Sequence, residues 1–143
     1  MLQGRIGNTS GAPYIEGHIF FPRLSIRGVI SFLVDTGADG TIIMPADSKR
    51  IGVDHGTLLI QVSGDGVGGV AAMHNEHALL SFADSKFVYG YYLDVAILVP
   101  TSHNDRLPSL LGRDILSQWR FVLEPTKGIV TFTRRKWTMR DAV

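Results

Sequence analysis

Residues 32–39 read Phe-Leu-Val-Asp-Thr-Gly-Ala-Asp, and this stretch decides how the chain folds. Its three apolar residues predict a strand that runs through the interior and ends on the carboxylate of Asp35. Thr36 and Gly37 then predict a tight turn, because glycine allows close backbone approach and threonine supplies a hydroxyl group that can donate and accept. A carboxylate at the mouth of a buried strand is costly unless it is paired or used. The pattern therefore predicts acid or base chemistry at Asp35, whereas a bare Asp-Thr-Gly would often be a surface turn.

A second segment, residues 109–116, reads Ser-Leu-Leu-Gly-Arg-Asp-Ile-Leu. An apolar pair meets a glycine, and a charged pair then opens a predicted short helix. The helix dipole favours Asp114 in the first turn, and we assign Asp114 no catalytic role. Together the two segments resemble the retropepsin-like aspartic peptidases, the family of retroviral proteases and their cellular relatives. The order of the motifs matches that family, and the resemblance covers about residues 13–132.

The chain of 143 residues is long enough for one domain with a sizeable core. Many short predicted strands, separated by turn residues, favour an all-β barrel-like domain. The resemblance implies a retropepsin-like acid-protease barrel, with one lobe per chain and one or two short helices. We expect a flexible N-terminal arm over residues 1–12, the peptidase domain over residues 13–133, and a basic, solvated tail over residues 134–143.

Aspartic peptidases need two carboxylates that share one proton, one acting as general base on water and one as general acid on the scissile amide. Two adjacent like charges do not both ionise cheaply, so such a pair titrates in separated steps. This chain contains a single Asp-Thr-Gly and no Asp-Ser-Gly. If the chain is a peptidase, the second carboxylate must therefore be Asp35 of another subunit. The expected assembly is a homodimer, in which the same surface of each chain meets at a twofold axis.

The resemblance also implies roles for the residues around Asp35. Thr36 and Gly37 hold the catalytic turn, and Thr36 hydrogen-bonds across the twofold axis. Asp39 forms an ion pair with Arg113 that braces the site within one chain. Asp39 also contacts the substrate backbone, and Ala38 is a further substrate-binding residue. Arginine suits this brace because its planar fork can donate two hydrogen bonds to one carboxylate. We expect the ion pair to be partly buried, although two unrelated surface charges are the alternative.

Residues 64–69, Gly-Asp-Gly-Val-Gly-Gly, satisfy the G-x-G-x-x-G pattern of dinucleotide-binding loops. That interpretation requires a helix directly after the loop, and no convincing helix follows, so we reject it. The resemblance instead predicts the tip of a mobile β-hairpin flap that closes over substrate and excludes water. A plain glycine-rich loop is the alternative. The predicted substrate-binding residues of the flap are Gly66, Val67, Gly68, Gly69 and Val70.

Composition excludes several other classes of protein. A net charge of +1 gives no broad electrostatic case for binding nucleic acid or an anionic membrane. The absence of cysteine excludes disulfides, thiol catalysis and cysteine-ligated zinc. No apolar run reaches about 18 residues, which predicts no transmembrane helix, and residues 1–13 lack an apolar signal-peptide core. We therefore expect a cytoplasmic location.

His74 and His77, with Glu76 between them, raise the possibility of a metal site. The two imidazoles would lie on opposite faces of a strand, and the sequence offers no evident third ligand. Solvated polar residues at a turn explain these residues better. We therefore expect no metal and no other cofactor.

The sequence thus predicts a homodimeric, retropepsin-like aspartic endopeptidase that cleaves a peptide or protein substrate. The alternative is a non-catalytic module on the same fold that binds peptides or dimerises, because a fold does not fix a function. A third possibility is an enzyme that is active only within a larger protein, where tethering raises the local subunit concentration. Loss of peptide cleavage in Asp35→Asn, with dimerisation retained, would separate the first two.

Overall fold

A computed structural model describes residues 1–66 and 69–135 of the chain. Eleven strands account for most of that part. The strands are β1 (Leu2–Gln3), β2 (Arg5–Ile6), β3 (Pro13–Phe21), β4 (Ile26–Val34), β5 (Ile42–Ile43), β6 (Ile60–Gly66), β7 (Gly69–Ala83), β8 (Val88–Leu98), β9 (Leu110–Leu111), β10 (Trp119–Glu124) and β11 (Ile129–Arg134).

Eight of these strands form one sheet in the order β2-β3-β4-β9-β5-β8-β7-β6. An additional pairing of β3 with β7, in which His18 lies opposite Ser81 and Phe20 opposite Leu79, closes the middle of this sheet on itself. The result is a barrel of six strands, β3, β4, β9, β5, β8 and β7. The expected all-β barrel with short helices is confirmed.

Alternation of apolar and polar residues explains the barrel interior. In β3, Ile15, Ile19 and Phe21 are buried, while Glu16 and His18 face outward. Strand β4 contributes Phe32 and Val34 in the same way. The core continues through β7, β8, β9 and the second, three-stranded sheet β1-β11-β10, with the buried residues Leu80, Phe82, Val95, Ile97, Leu111, Trp119, Val130 and Phe132.

Two short helices flank the strands that carry the two sequence motifs. Helix α1 (Pro45–Arg50) begins at a proline, whose missing N–H costs nothing in the first turn. Helix α2 (Arg113–Leu116) follows Gly112 directly and buries Ile115 and Leu116 against the core. No helix in the described part of the chain is long and apolar enough to cross a membrane.

The N-terminal residues differ from the flexible arm expected for residues 1–12. Leu2 and Gln3 pair with β11, Arg5 and Ile6 pair with β3, and the Gly4 N–H donates to the carbonyl of Val130 over 2.8 Å. Leu2 is only 3% exposed, because its side chain completes the core beneath the three-stranded sheet. One buried side chain and a few backbone hydrogen bonds therefore order a segment whose polar, glycine-rich composition favours mobility.

The predicted polar turn at residues 74–77 was wrong, because these residues lie inside the 15-residue strand β7. Glu76 points inward and is 5% exposed. The Nη2 and Nε atoms of Arg23 donate to the Glu76 carboxylate over 2.6 and 3.2 Å, and Arg23 Nη2 also donates to the carbonyl of Thr57 over 2.9 Å. This ion pair compensates the buried charge and allows the strand to continue through a polar stretch.

Candidate active site

Asp35 lies at the end of β4, where β9 runs beside it in parallel. Leu33 pairs with Leu110 and Val34 with Leu111. The Leu33 N–H donates to the carbonyl of Ser109 over 2.8 Å, and the Asp35 N–H donates to the carbonyl of Leu111 over 3.0 Å. The barrel therefore fixes the backbone of Asp35, while its side chain stands half-buried at the end of the strand.

The turn after Asp35 is organised around its carboxylate. The Gly37 N–H donates to Asp35 Oδ1 over 2.9 Å, and the Ala38 N–H donates to the Asp35 carbonyl over 3.2 Å. The Thr36 side chain is exposed. The carboxylate is thus oriented by a backbone donor and remains accessible to a second chain or to water.

Arg113 joins the second sequence motif to this turn. Its backbone N–H donates to the carbonyl of Ala38 over 2.9 Å, and its Nη1 donates to the carbonyl of Thr36 over 2.8 Å. Its Nη2 pairs with the carboxylate of Asp39. The structure therefore brings Thr36, Ala38, Asp39 and Arg113 together, as the ion pair predicted from the sequence requires.

The expected burial of this ion pair was wrong. The Asp39 side chain is 95% exposed in the single chain and the Arg113 side chain is 48% exposed. The pair projects from the outside of the turn, because Arg113 opens α2 at the surface instead of lying beneath β4. An exposed pair contributes about 1 kcal/mol or less, not the 3–5 kcal/mol typical of a broken buried pair.

Asp39→Asn should therefore lower the free energy of unfolding by about 1 kcal/mol or less. Arg113→Ala should cost more, about 1–2 kcal/mol, because it also removes the hydrogen bond to the Thr36 carbonyl. Urea denaturation of both variants measures the difference. A cost of about 3 kcal/mol or more for Asp39→Asn would contradict the exposed geometry.

Behind the turn, Asp114 has a positioning function that the sequence did not reveal. Its Oδ2 accepts from the Thr41 N–H over 2.9 Å, and its Oδ1 accepts from the Thr41 hydroxyl over 2.8 Å. Thr41 is buried, and its Oγ1 also accepts from the Gly112 N–H over 3.3 Å. The feature of the sequence that could have indicated this contact is Thr41, a threonine that begins an apolar run shortly after the Asp35 turn.

Gly112 lies where the two motif segments cross. A Cβ atom at this position would lie 2.4 Å from the carbonyl carbon and oxygen of Gly40. Any side chain there would push the turn segment away from β9. The glycine of the second motif is therefore required for close packing, not for an unusual backbone conformation.

A buried hydroxyl group also ties α1 to β9. Ser109 Oγ donates to Asp47 Oδ2 over 2.6 Å and accepts from the Met44 N–H over 2.9 Å. Ser109 is fully buried, and its carbonyl accepts from the N–H of Leu33, two residues before Asp35. Sequence reasoning missed this contact, because an isolated serine carries no pattern that predicts burial.

Of the predicted flap residues, Gly66, Gly69 and Val70 lie on the β6–β7 hairpin. Asp65 pairs with Val70 and Gly66 with Gly69, so the two strands of the hairpin are paired as far as Gly66 and Gly69. Val67 and Gly68 lie outside the described residues. The role of residues 66–70 as a substrate-covering flap stays a prediction.

His55 lies in the short 3₁₀ turn that precedes this hairpin, with its Nε2 3.1 Å from Ser48 Oγ. Burial, followed by the nearby Lys49 and His74, lowers the pKa of His55. The neutral imidazole is therefore favoured in the folded state.

Because the folded-state pKa of His55 is below its unfolded value, its contribution to stability is complete above about pH 6.5 and is lost as the pH falls. The melting temperature should drop on acidification, and less steeply in His55→Gln than in the unmodified chain. His103→Gln, a change at an exposed histidine, is the control. Equal pH slopes for the chain and His55→Gln would contradict the prediction.

The described residues do not form the metal site that was considered at His74 and His77. His77 Nδ1 is 3.0 Å from Asp94 Oδ1, and its ring stacks on Tyr92 with 5.7 Å between ring centroids. Within residues 1–66 and 69–135, no group of three or more histidine or acidic side chains is arranged to hold a metal ion.

Comparison with known proteins identifies a family and two similar structures. The family model described as aspartyl protease matches residues 25–115. A retropepsin-like aspartic protease from Rickettsia conorii is 22% identical, with a TM-score of 0.54, over 92% of this chain and 88% of that one. The EIAV protease in complex with the inhibitor HBY-793 is also 22% identical, with a TM-score of 0.42, over 78% of this chain and 90% of that one. No curated protein shows significant similarity. The Rickettsia likeness shows the fold, which is retropepsin-like.

Proposed function

The chain belongs to the aspartyl protease family, and from this we propose that it is an aspartic endopeptidase that cleaves peptide bonds as a homodimer. The observation that carries the proposal is the position of Asp35. Its carboxylate stands half-buried at the end of a buried strand and is oriented by the Gly37 N–H over 2.9 Å. A carboxylate held in this way is ready to act as an acid or a base.

The single Asp-Thr-Gly requires the second carboxylate to come from a partner subunit. With Asp35 of each chain at a twofold axis, one carboxylate is ionised and takes a proton from the attacking water. The other is protonated and donates to the oxygen of the scissile carbonyl. As the tetrahedral intermediate collapses, the first carboxylate donates its newly acquired proton to the leaving amine, and the second, now ionised, takes a proton from a hydroxyl group of the intermediate.

The surrounding residues keep the dyad in place. Gly37 orients Asp35, and Thr36 stands exposed beside it, where it can hydrogen-bond to the partner chain. Arg113 fixes the turn from outside through the carbonyls of Thr36 and Ala38. Ala38 and Asp39, on the exposed side of the turn, would bind the backbone of the substrate.

The β6–β7 hairpin is the proposed flap. Backbone donors and acceptors near Gly66 and Gly69 would pair with an extended peptide, in the manner of an added strand. Val67, Gly68 and Val70 complete the proposed tip. Closure would exclude water and align the scissile bond with the dyad.

Concentration dependence tests the assembly. If the site needs two chains, specific activity on a peptide substrate should fall on dilution, in step with the dimer fraction measured by sedimentation velocity. Activity should follow a bell-shaped pH profile with an acidic optimum, and a chelator should leave it unchanged. Undiminished specific activity in a sample shown to be monomeric would contradict the proposal.

A further inference from the structure

A groove of about 490 Å³ lies on the outer face of the barrel, where strands β3, β4 and β7 meet. Its lining includes His18, Phe20, Arg27, Val29 and Leu79. None of the residues assigned to the catalytic turn or the flap lines it. Val29 lies in β4, and Asp35 directly follows that strand, six residues further along the chain. At about 3.3 Å per residue, the groove is about 20 Å from the Asp35 carboxylate.

Strand register arranges the outward side chains of this face in rows. Arg27 lies opposite Phe20, Phe20 opposite Leu79, and Leu79 opposite Tyr92, so one row crosses four strands. Tyr92 is 70% exposed at the end of that row. With neighbouring strands about 4.8 Å apart, the row is roughly 14 Å long.

The neighbouring row of outward residues includes smaller side chains. Val29, His18, Ser81 and Gly90 lie opposite one another across the same four strands. Ser81 and Gly90 are small, so the aromatic and aliphatic side chains of the first row form a wall beside a shallow floor. The groove is therefore elongated, apolar on one side and open to solvent.

Positive charge marks one end of the groove. The guanidinium of Arg27 lies over the ring of Phe20, 5.1 Å from its centroid, and the aromatic ring holds it at the surface. His18 is exposed nearby, and no carboxylate is among the described residues that line the groove. An acidic group would meet a favourable field at this end and apolar surface along the rest.

We propose that this groove is an exosite that binds a segment of the protein substrate, about four residues long, with an acidic residue at one end and apolar or aromatic residues along the rest. This inference rests on the proposed peptidase function. The length of the row matches about four residues of extended chain at about 3.3 Å each. The acidic residue lies over Arg27, and the apolar residues pack on Leu79 and Tyr92. A linker of about six or more residues reaches from this segment to the scissile bond.

Direct binding tests the exosite without requiring cleavage. The probe is a fluorescein-labelled peptide, Gly-Asp-Leu-Phe-Leu-Gly, titrated by fluorescence anisotropy against the Asp35→Asn protein. Saturable binding is expected, and replacing the aspartate of the probe with lysine should weaken it by about tenfold. Arg27→Glu and Tyr92→Ala in the Asp35→Asn background should each weaken binding by a similar factor. Both positions are exposed, and unchanged melting temperatures verify the fold.

Arg106→Glu, at another exposed arginine, is the matched control and should leave binding unchanged. Absence of saturable binding, or equal binding by Arg27→Glu and Arg106→Glu, would overturn the exosite. A change in sedimentation coefficient caused by Arg27→Glu, without a change in peptide binding, would assign the groove to contact between copies of the chain and would also overturn it.

Kinetics then connect the groove to the substrate. A peptide that is cleaved should be cut with a KM about tenfold lower when Asp-Leu-Phe-Leu is attached through an eight-residue Gly/Ser linker. Arg27→Glu should abolish this advantage and leave the cleavage of the unextended peptide unchanged. An extension without effect in the unmodified enzyme would refute the proposal. Failure of the peptidase function can be distinguished from failure of the exosite. In the first case neither peptide would be cut, whereas probe binding is measured separately by anisotropy.

Discussion

We expect the Asp35→Asn variant to lose peptide cleavage by on the order of 10³-fold or more while it keeps its fold. The amide has nearly the shape of the carboxylate, and its oxygen can still accept from the Gly37 N–H. It can neither take a proton from water nor supply one to the scissile carbonyl. The loss should therefore appear in kcat, with the melting temperature and the dimer fraction close to those of the unmodified chain.

The matched control for this experiment is Asp105→Asn, which makes the same chemical change at an exposed loop position. Its activity should equal that of the unmodified chain. Residual cleavage by purified Asp35→Asn within about tenfold of the unmodified chain would exclude Asp35 as the acid–base group.

The largest effect on stability is expected from Arg23→Ala, which should lower the melting temperature by roughly 10 °C or more. Glu76 is 5% exposed, and its described hydrogen bonds all come from the guanidinium of Arg23. The carboxylate in turn raises the pKa of Arg23. Without the arginine, a charged group remains inside the strand that leads to the proposed flap.

A second substitution separates this effect from general loss of packing. In the double variant Arg23→Ala/Glu76→Gln the buried charge is gone, so part of the lost melting temperature should return. Arg106→Ala, at an exposed arginine, should change the melting temperature by no more than a few degrees. Equal melting temperatures for Arg23→Ala and Arg106→Ala would show that the ion pair contributes little.

The sequence predicted those features whose causes are local. The apolar run before Asp35 and the alternation in β3 and β4 are sufficient to predict buried strands, and Pro45 predicts the beginning of α1. The association of Arg113 with the Asp35 turn was predicted through family resemblance, because contacts between residues so distant in sequence leave no periodic signal.

Features that depend on the tertiary environment were missed or misjudged. Residues 74–77 read as a polar turn because the partner that compensates Glu76, Arg23, is far away in sequence. The exposure of the Asp39–Arg113 pair depends on where α2 begins relative to the barrel surface. The contacts of Asp114 with Thr41 and of Ser109 with Asp47 involve polar residues whose burial depends on a partner 73 or 62 residues away.

The proposed dyad, with one Asp35 from each subunit, would make two chains interdependent, and subunit mixing tests this most directly. Unmodified protein is incubated with Asp35→Asn until the subunits exchange, at concentrations where specific activity no longer changes on dilution. If each active site needs Asp35 from both chains, random pairing should leave about half of the activity per unmodified chain in an equal mixture. A ninefold excess of the variant should leave about one tenth. Activity per unmodified chain that stays constant at every ratio would contradict a dyad built from two subunits.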